Sequence, residues 1–301
     1  MAEYPIVLQG FQKAYGSFQA VCGIDFQVEK GEIFGLLGPN GSGKTTTLEC
    51  LEGIRQPSAG KLQVLGLDPV REPQRLARTI GVQLQSSGLP ANMTVDEAMK
   101  FFCAYHGVAP RFSLLERLGL AEKRKTQYSQ LSIGLQRRLN LVLAVAHEPP
   151  VVILDEPTAG LDVASRVELH NMMNELRSNG TTVLLATHDM AEAEKMADRV
   201  AILLKGEIVA QGTPRELTAT GSGLTKVSVH SEQDILMKSS QSFPAVHQQF
   251  IKDEYVILYT SDPGPTVSAI IEAINAQGDR LIDLRVERPS LEERFLEITK
   301  A

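Results

Sequence analysis

Short runs of consecutive apolar residues alternate with longer amphipathic segments along the first three-quarters of the chain. These runs lie at 33–37, 151–154, 182–186 and 200–204. Short apolar runs separated by helical segments are typical of parallel strands that are buried on both faces of a sheet. The pattern therefore predicts an α/β core built on a parallel sheet.

The segment between Pro90 and His147 shows only helical spacing. Thr94 and Glu97 have the spacing of a capping box, which predicts that a helix begins there. Further along, one apolar stripe at helical spacing is formed by Leu135, Leu139, Val142, Leu143 and Ala146. These features predict a helical subdomain, about 87–148, inserted into the α/β core.

The pattern changes after 212–214, and the glycine- and serine-containing segment 220–223 is the predicted domain boundary. Beyond it we predict strand, helix, strand, strand, helix and strand at 226–230, 232–239, 247–252, 255–260, 266–276 and 281–286. A final helix is predicted at 290–298. The order βαββαβ matches a ferredoxin-like unit. The sequence thus predicts a large domain, 1–220, and a small α+β domain, 224–301.

Composition and charge narrow the class of protein. A chain of 301 residues allows about two domains, at a prior of roughly 150 residues each. The formal net charge of −6 disfavours a nucleic-acid partner, since such proteins usually carry a basic surplus. Three separated cysteines without a C-x-x-C pair indicate a reduced compartment. No apolar stretch approaches the roughly 20 residues of a spanning helix, and the start lacks a signal-peptide pattern, so we predict a cytoplasmic protein.

A phosphate-binding motif follows the first apolar run. Residues 38–45 (GPNGSGKT) fit G-x-x-x-x-G-K-[ST] between a predicted strand and a predicted helix. In such a loop the backbone N–H groups and the helix N-terminus face an anion, and glycines leave room for its oxygens. Lys44 is expected to reach the β- and γ-phosphates, and the Thr45 hydroxyl to hold Mg²⁺.

Two acidic residues end the second apolar run. Asp155 is expected at the carboxyl edge of the sheet, beside the phosphate loop, where it can support Mg²⁺. Glu156 is one position further, points elsewhere, and could act as general base toward an attacking water. Acids that merely end a strand are the structural alternative for this fragment alone.

Further motifs make the chain resemble an ATP-binding-cassette (ABC) ATPase over roughly residues 4–217. Residues 131–135 (LSIGL) resemble the family signature LSGGQ, and 155–162 (DEPTAGLD) match its long Walker B and D-loop run. Gln85 matches the Q-loop glutamine, with Gln83 as a rival. His188 matches the H-loop histidine. Tyr15 lies where the family stacks an aromatic ring on adenine, although it could equally be a core aromatic.

The resemblance implies a P-loop (RecA-like) cassette that binds ATP and Mg²⁺ and hydrolyses ATP. It implies catalytic roles for Glu156, His188, Gln85 and Lys44, and metal contacts from Thr45, Gln85 and Asp155. The implied nucleotide contacts are Tyr15, Gly38, Pro39, Asn40, Gly41, Ser42, Gly43, Lys44, Thr45, Thr46, Ser132, Gly134 and Asp162. Ser132 and Asp162 also have simpler interpretations as helix N-caps.

Partners are implied as well. In the family, the signature segment of a second copy holds the γ-phosphate, so two ATP molecules are clamped between two cassettes. A cassette without a membrane span works with a separate permease, which implies a peripheral location on the inner face of the membrane. This signature departs from the family pattern, because Ile133 replaces a glycine and Leu135 replaces the glutamine.

The C-terminal segment 288–296 (RPSLEERFL) resembles the ending of exporter ATPases of the daunorubicin-resistance branch. An amphipathic helix that packs on its own domain is the structural alternative. The sequence favours an ATPase that drives export of a drug, antibiotic or other hydrophobic or polymeric substrate. The open alternatives are an importer ATPase, a soluble ABC ATPase acting on ribosomes or DNA, another P-loop enzyme such as a kinase or GTPase, and a binding module without turnover.

Overall fold

The computed structural model describes residues 3–83, 88–219, 224–238, 242–287 and 290–300. The chain forms two compact units, residues 1–214 and 215–301. The predicted boundary at 220–223 lies outside the described residues.

A six-stranded sheet forms the centre of the first unit. In spatial order its strands are β5 (Gly81–Gln83), β6 (Val151–Asp155), β7 (Thr182–Thr187), β3 (Ile33–Leu37), β8 (Arg199–Leu204) and β9 (Glu207–Gly212). The first five are parallel, and β9 is antiparallel to β8. Every residue of β3, β6 and β7 is buried, which confirms the predicted parallel sheet covered on both faces. The carboxyl ends of β3, β6 and β7 meet at one edge.

A second, antiparallel sheet lies in the same unit and was not identified from the sequence. Its strands are β2 (Phe18–Val28), β1 (Ile6–Tyr15) and β4 (Ala59–Val64), in that spatial order. It shares a hydrophobic core with the central sheet. The rings of Phe26 and Phe34 stack across this core with centroids 5.1 Å apart.

Seven helices of the first unit are α1 (Lys44–Leu51), α2 (Pro73–Ala77), α3 (Val95–Tyr105), α4 (Phe112–Arg117), α5 (Ile133–Val145), α6 (Val163–Ser178) and α7 (Met190–Met196). α3 to α5 and two short 3₁₀ turns confirm the helical segment predicted between Pro90 and His147. The capping box of α3 is complete: Glu97 N donates to Thr94 Oγ1 (3.3 Å) and Thr94 N to Glu97 Oε2 (2.8 Å). A short helix, α8 (Pro214–Ala219), begins at the end of this unit.

The second unit has its own small core around an antiparallel sheet. Its elements are β10 (Thr225–Ser231), α9 (Ile235–Lys238), β11 (Val246–Lys252), β12 (Tyr255–Thr260), α10 (Pro263–Ala276), β13 (Leu281–Glu287) and α11 (Leu291–Lys300). The sheet order is β11-β12-β10-β13, with all neighbours antiparallel. This order supports the ferredoxin-like assignment, which stays a prediction.

Two predicted helix starts in this unit are wrong by three residues each. α10 begins at Pro263 and not at 266, because proline is favoured in the first turn of a helix. The other is the start of α9. The sequence places it at Glu232, whereas α9 begins at Ile235. Glu232 N donates to the Arg280 carbonyl (2.9 Å), and Asp234 has a left-handed backbone (φ 53°). A turn therefore separates the strand from the helix.

Among the described residues, no helix combines the length and the apolar content that crossing a bilayer requires.

Candidate active site

The loop between β3 and α1 presents its backbone at the edge of the central sheet. Gly38 has φ 153°, and a Cβ there would lie 2.1 Å from the Leu203 carbonyl oxygen. Gly43 has φ 109°, and a Cβ would lie 2.7 Å from the Ala20 carbonyl oxygen. Both positions therefore require glycine. Their neighbours Pro39, Asn40 and Gly41 are exposed, so this side of the loop is open to a ligand.

Lys44, the first residue of α1, folds back over the loop. Its Nζ donates to the carbonyls of Gly38 (2.7 Å) and Pro39 (3.3 Å) and lies 3.8 Å from Glu156 Oε1. Burial lowers the pKa of Lys44, while Glu156 and Asp155 oppose that shift. The ammonium group is thus held among acceptors that a phosphate could replace.

Asp155 ends β6 beside the start of α1, as its strand-end position predicts. Its Oδ2 accepts a 2.9 Å hydrogen bond from Thr45 Oγ1. Burial raises the pKa of Asp155, and its Oδ1 has no hydrogen-bond partner in the part of the chain that is described. Carboxylate and hydroxyl oxygens are ligands that Mg²⁺ prefers. An exposed Thr45 beside an orphaned carboxylate oxygen therefore fits a divalent cation next to a phosphate group. Thr46 is half-buried on the same turn, and Ser42 Oγ is buried without a described partner.

Glu156 diverges from Asp155 because its backbone is left-handed, with φ 49°. Its N–H donates to the Ala186 carbonyl (2.9 Å). Its side chain is buried, and Oε2 lies 2.8 Å from Nδ1 of His188, which follows β7. Lys44 and His188 thus flank this carboxylate, which is placed to accept a proton from a water molecule at the loop.

The remaining candidates are held by other contacts. Ser132 is exposed and caps α5, accepting from Leu135 N (3.3 Å). Asp162 caps α6, where hydrogen bonds from Ser165 lower the pKa of Asp162, and it pairs with Arg138.

For Tyr15 and Gly134, two further candidates, the described residues show packing contacts and no side-chain hydrogen bond that defines a role. Tyr15, at the end of β1, is part-exposed, with Lys13 Nζ 5.0 Å from its ring centroid. A Cβ on Gly134 would lie 3.7 Å from the Gly160 carbonyl. Gln85 lies outside the described residues. Its rival Gln83 is buried in β5.

A buried carboxylate that was not identified from the sequence connects the segments after β6 and β7. Oε2 of Glu192 accepts hydrogen bonds from Thr158 Oγ1 (3.0 Å) and Thr187 Oγ1 (3.1 Å). Its Oε1 lies 3.1 Å from His170 Nε2. Glu192 therefore fixes the two segments that carry the general-base candidate and its histidine. No local motif indicates it, because its partners come from three separate elements.

Comparison with known proteins gives full-length relatives. A sequence profile of the ABC transporter family matches residues 21–159. The chain is 34% identical to the daunorubicin resistance ATP-binding protein DrrA3 of Streptomyces coeruleorubidus, over 99% of this chain and 97% of that protein. It is 35% identical to the Nod factor export ATP-binding protein I of Paraburkholderia xenovorans, over 99% and 98% of the two chains.

Solved structures share the fold. One is an ATP-binding subunit of an ABC transporter, with TM-score 0.67 and 28% identity over 70% of this chain and 91% of that chain. Another is a dimeric ATP-binding cassette in a post-hydrolysis state with bound ADP and Pi. Its TM-score is 0.63 and its identity 25%, over 69% of this chain and 98% of that chain.

Proposed function

Since this chain belongs to the ABC transporter family of ATP-binding proteins, we propose that it powers a separate membrane permease in the export of a drug-like, antibiotic or polymeric substrate. The predicted family, P-loop fold class and ATPase activity are confirmed by the full-length relatives and the solved cassettes. Two relatives that align over nearly the whole chain are named for drug resistance and for export, which supports the outward direction.

The observation that carries the enzymatic part is the meeting of Lys44, Asp155, Glu156 and His188 at one sheet edge. Lys44 and the loop backbone would hold the β- and γ-phosphates, and His188 would bond the γ-phosphate. Mg²⁺ held by Thr45 and Asp155 would neutralise phosphate charge. Glu156 would remove a proton from the attacking water. Because phosphoryl transfer depends on positioning and electrostatics, separating these groups switches the reaction off.

We propose that a second copy completes this site. Ser132 and Gly134 lie at the start of α5, where free N–H groups and the helix dipole favour an anion. This end is accessible, since Ile133 beside them is 70% exposed. The γ-phosphate bound by one copy would meet Ser132 of the other. Loss of that phosphate would remove a contact that only the closed dimer makes.

Ser132→Ala is expected to remove the cooperative dependence of the ATPase rate on ATP concentration and to lower turnover by about tenfold, because one phosphate contact is lost. Ser129→Ala, three residues away and also exposed, serves as the matched control. Steady-state ATPase curves for both variants check this. Unchanged cooperativity in Ser132→Ala would show that the signature segment is not part of the site.

An apolar groove of about 680 Å³ in the first unit offers a place for the permease. α2, β5, α3, α5 and the segment after α1 contribute to its lining, which includes Ile54, Phe101 and Tyr105. Phe101 is 58% exposed, and the other two side chains are also exposed. Contiguous exposed apolar surface of this kind marks interaction sites. We assign the groove to a short helix of the permease that faces the cytoplasm, which would hold this protein at the inner face of the membrane.

The test of the proposed function combines an enzymatic and a binding measurement on the wild-type protein. We expect ATP hydrolysis that stops when Mg²⁺ is chelated. We also expect co-purification with a membrane protein of about six helices encoded beside this reading frame. Co-purification with ribosomes or DNA, or with an import system's solute receptor, would contradict the exporter assignment. Absence of hydrolysis would contradict the enzymatic part.

A further inference from the structure

The apolar groove contains one buried carboxyl group. Glu52 follows α1 directly, lines the groove and is only 7% exposed. Its Oε2 is buried and has no hydrogen-bond partner within the described residues. An unpaired buried polar group costs stability, so a carboxyl group at this position requires an explanation.

In the part of the chain that is described, no cation is among the groups that shift the pKa of Glu52. Arg55, three residues along, is paired with Glu49. Arg78 lies over the Tyr105 ring, 5.9 Å from its centroid. Neither arginine is among the groups that act on the pKa of Glu52.

The titratable groups around Glu52 favour its neutral form. Burial, together with the smaller effects of the negative charges of Asp155 and Glu49, raises the pKa of Glu52 to about 8. In the groove, burial lowers the pKa of His147 to about 4 and also lowers the pKa of His106. The two imidazole rings are stacked with centroids 3.6 Å apart and are neutral at pH 7. The titratable groups that share the groove with Glu52 are therefore neutral histidines and the Tyr105 phenol, and the charges that act on it are those of two carboxylates, so none supplies positive charge.

We propose that Glu52 determines the specificity of this groove by receiving one lysine or arginine side chain from an otherwise apolar helix of the permease. The inference rests on the proposed function, which assigns the groove to that partner. The apolar walls fit aliphatic and aromatic side chains, and the buried carboxyl group supplies the charge complementarity. Pairing with a cation converts Glu52 to its ionised form, and the proton passes to solvent.

The position of Glu52 connects this contact to the nucleotide. α1 begins at Lys44 on the phosphate loop and is eight residues long, so Glu52 lies at its other end. At a rise of about 1.5 Å per residue, roughly 12 Å separates the two ends. A shift of this helix on docking would therefore also move Lys44 and Thr45 at its other end.

The experiment measures binding of synthetic amphipathic helices of about 16 residues to the intact protein by calorimetry at pH 7. One peptide has Leu and Phe on one face with a single central Lys, and its twin has Met in place of that Lys. We expect wild type to bind the Lys peptide at least tenfold more tightly. It should also release close to one proton per peptide, measured from the buffer dependence of the binding heat.

Both effects should disappear in Glu52→Gln and persist in the control Glu116→Gln, which changes an exposed helical glutamate. Equal affinity for the two peptides, a preference that survives in Glu52→Gln, or the absence of peptide binding would each overturn the inference. If Glu52→Gln does not fold, the peptide preference and the proton release of wild type alone test the inference. If wild type hydrolyses ATP but binds neither peptide, only this inference is contradicted. If wild type does not hydrolyse ATP, the proposed function is contradicted.

Discussion

Replacing Glu156 with glutamine is expected to lower the rate of ATP hydrolysis by at least about a hundredfold, because the attacking water loses its proton acceptor. The amide keeps the size of the side chain and can still bond His188 Nδ1, which is 2.8 Å from Oε2 in the native site. The phosphate loop, Lys44 and the Asp155–Thr45 pair are untouched, so ATP binding should remain. Without hydrolysis to open it, the ATP-bound dimer should accumulate.

Two measurements check this expectation. Single-turnover hydrolysis reports the chemical step, and size-exclusion chromatography with ATP reports the dimer. Glu116→Gln, an exposed helical position in the same unit, is the matched control and should behave like wild type. Robust turnover by Glu156→Gln would rule out this residue as the general base.

Replacing Lys44 with methionine is expected to weaken nucleotide binding itself, whereas Glu156→Gln leaves binding in place and slows hydrolysis. A hydrogen bond to a charged group contributes about 1.5–3 kcal/mol, so we expect ATP affinity to fall roughly ten- to hundredfold. The variant also leaves Glu156 without the ammonium group that lies 3.8 Å from it. This carboxylate then repels the incoming phosphate, which adds to the loss.

Titration with a fluorescent ATP analogue measures the affinity. Lys61→Met replaces an exposed lysine on β4 and should bind like wild type. Thermal melting of both variants separates lost binding from lost folding. Native affinity in a folded Lys44→Met protein would remove Lys44 from the phosphate site.

The central sheet could be predicted because its strands are unbroken apolar runs, a signal that needs no knowledge of their neighbours. The antiparallel sheet of β1, β2 and β4 could not be predicted in this way. Register shifts between Leu8 and Phe11 and between Phe11 and Gln12 interrupt the alternation of buried and exposed positions. α9 was placed too early because its start depends on bonds to distant residues, such as that from Gln233 N to Asp279 Oδ1.

The residues of the site also divide into those that a local sequence pattern indicates and those that only the fold brings together. Lys44, Thr45, Asp155 and Glu156 lie in contiguous motifs, so the sequence alone indicates them. Glu192 bonds Thr158, 34 positions away, and only the fold brings them together. Glu52 was missed because a glutamate in a helical pattern is normally exposed.

The order of strands in the central sheet has a consequence for synthesis. β3 lies between β7 and β8, and Leu37 pairs with Thr187, about 150 positions later. Leu203, against which Gly38 is fitted, emerges later still. A growing chain therefore carries its phosphate loop for most of translation without the strands that shape it. We therefore expect nucleotide binding only after β8 has left the ribosome, so bound nucleotide would distinguish finished first units from truncated ones.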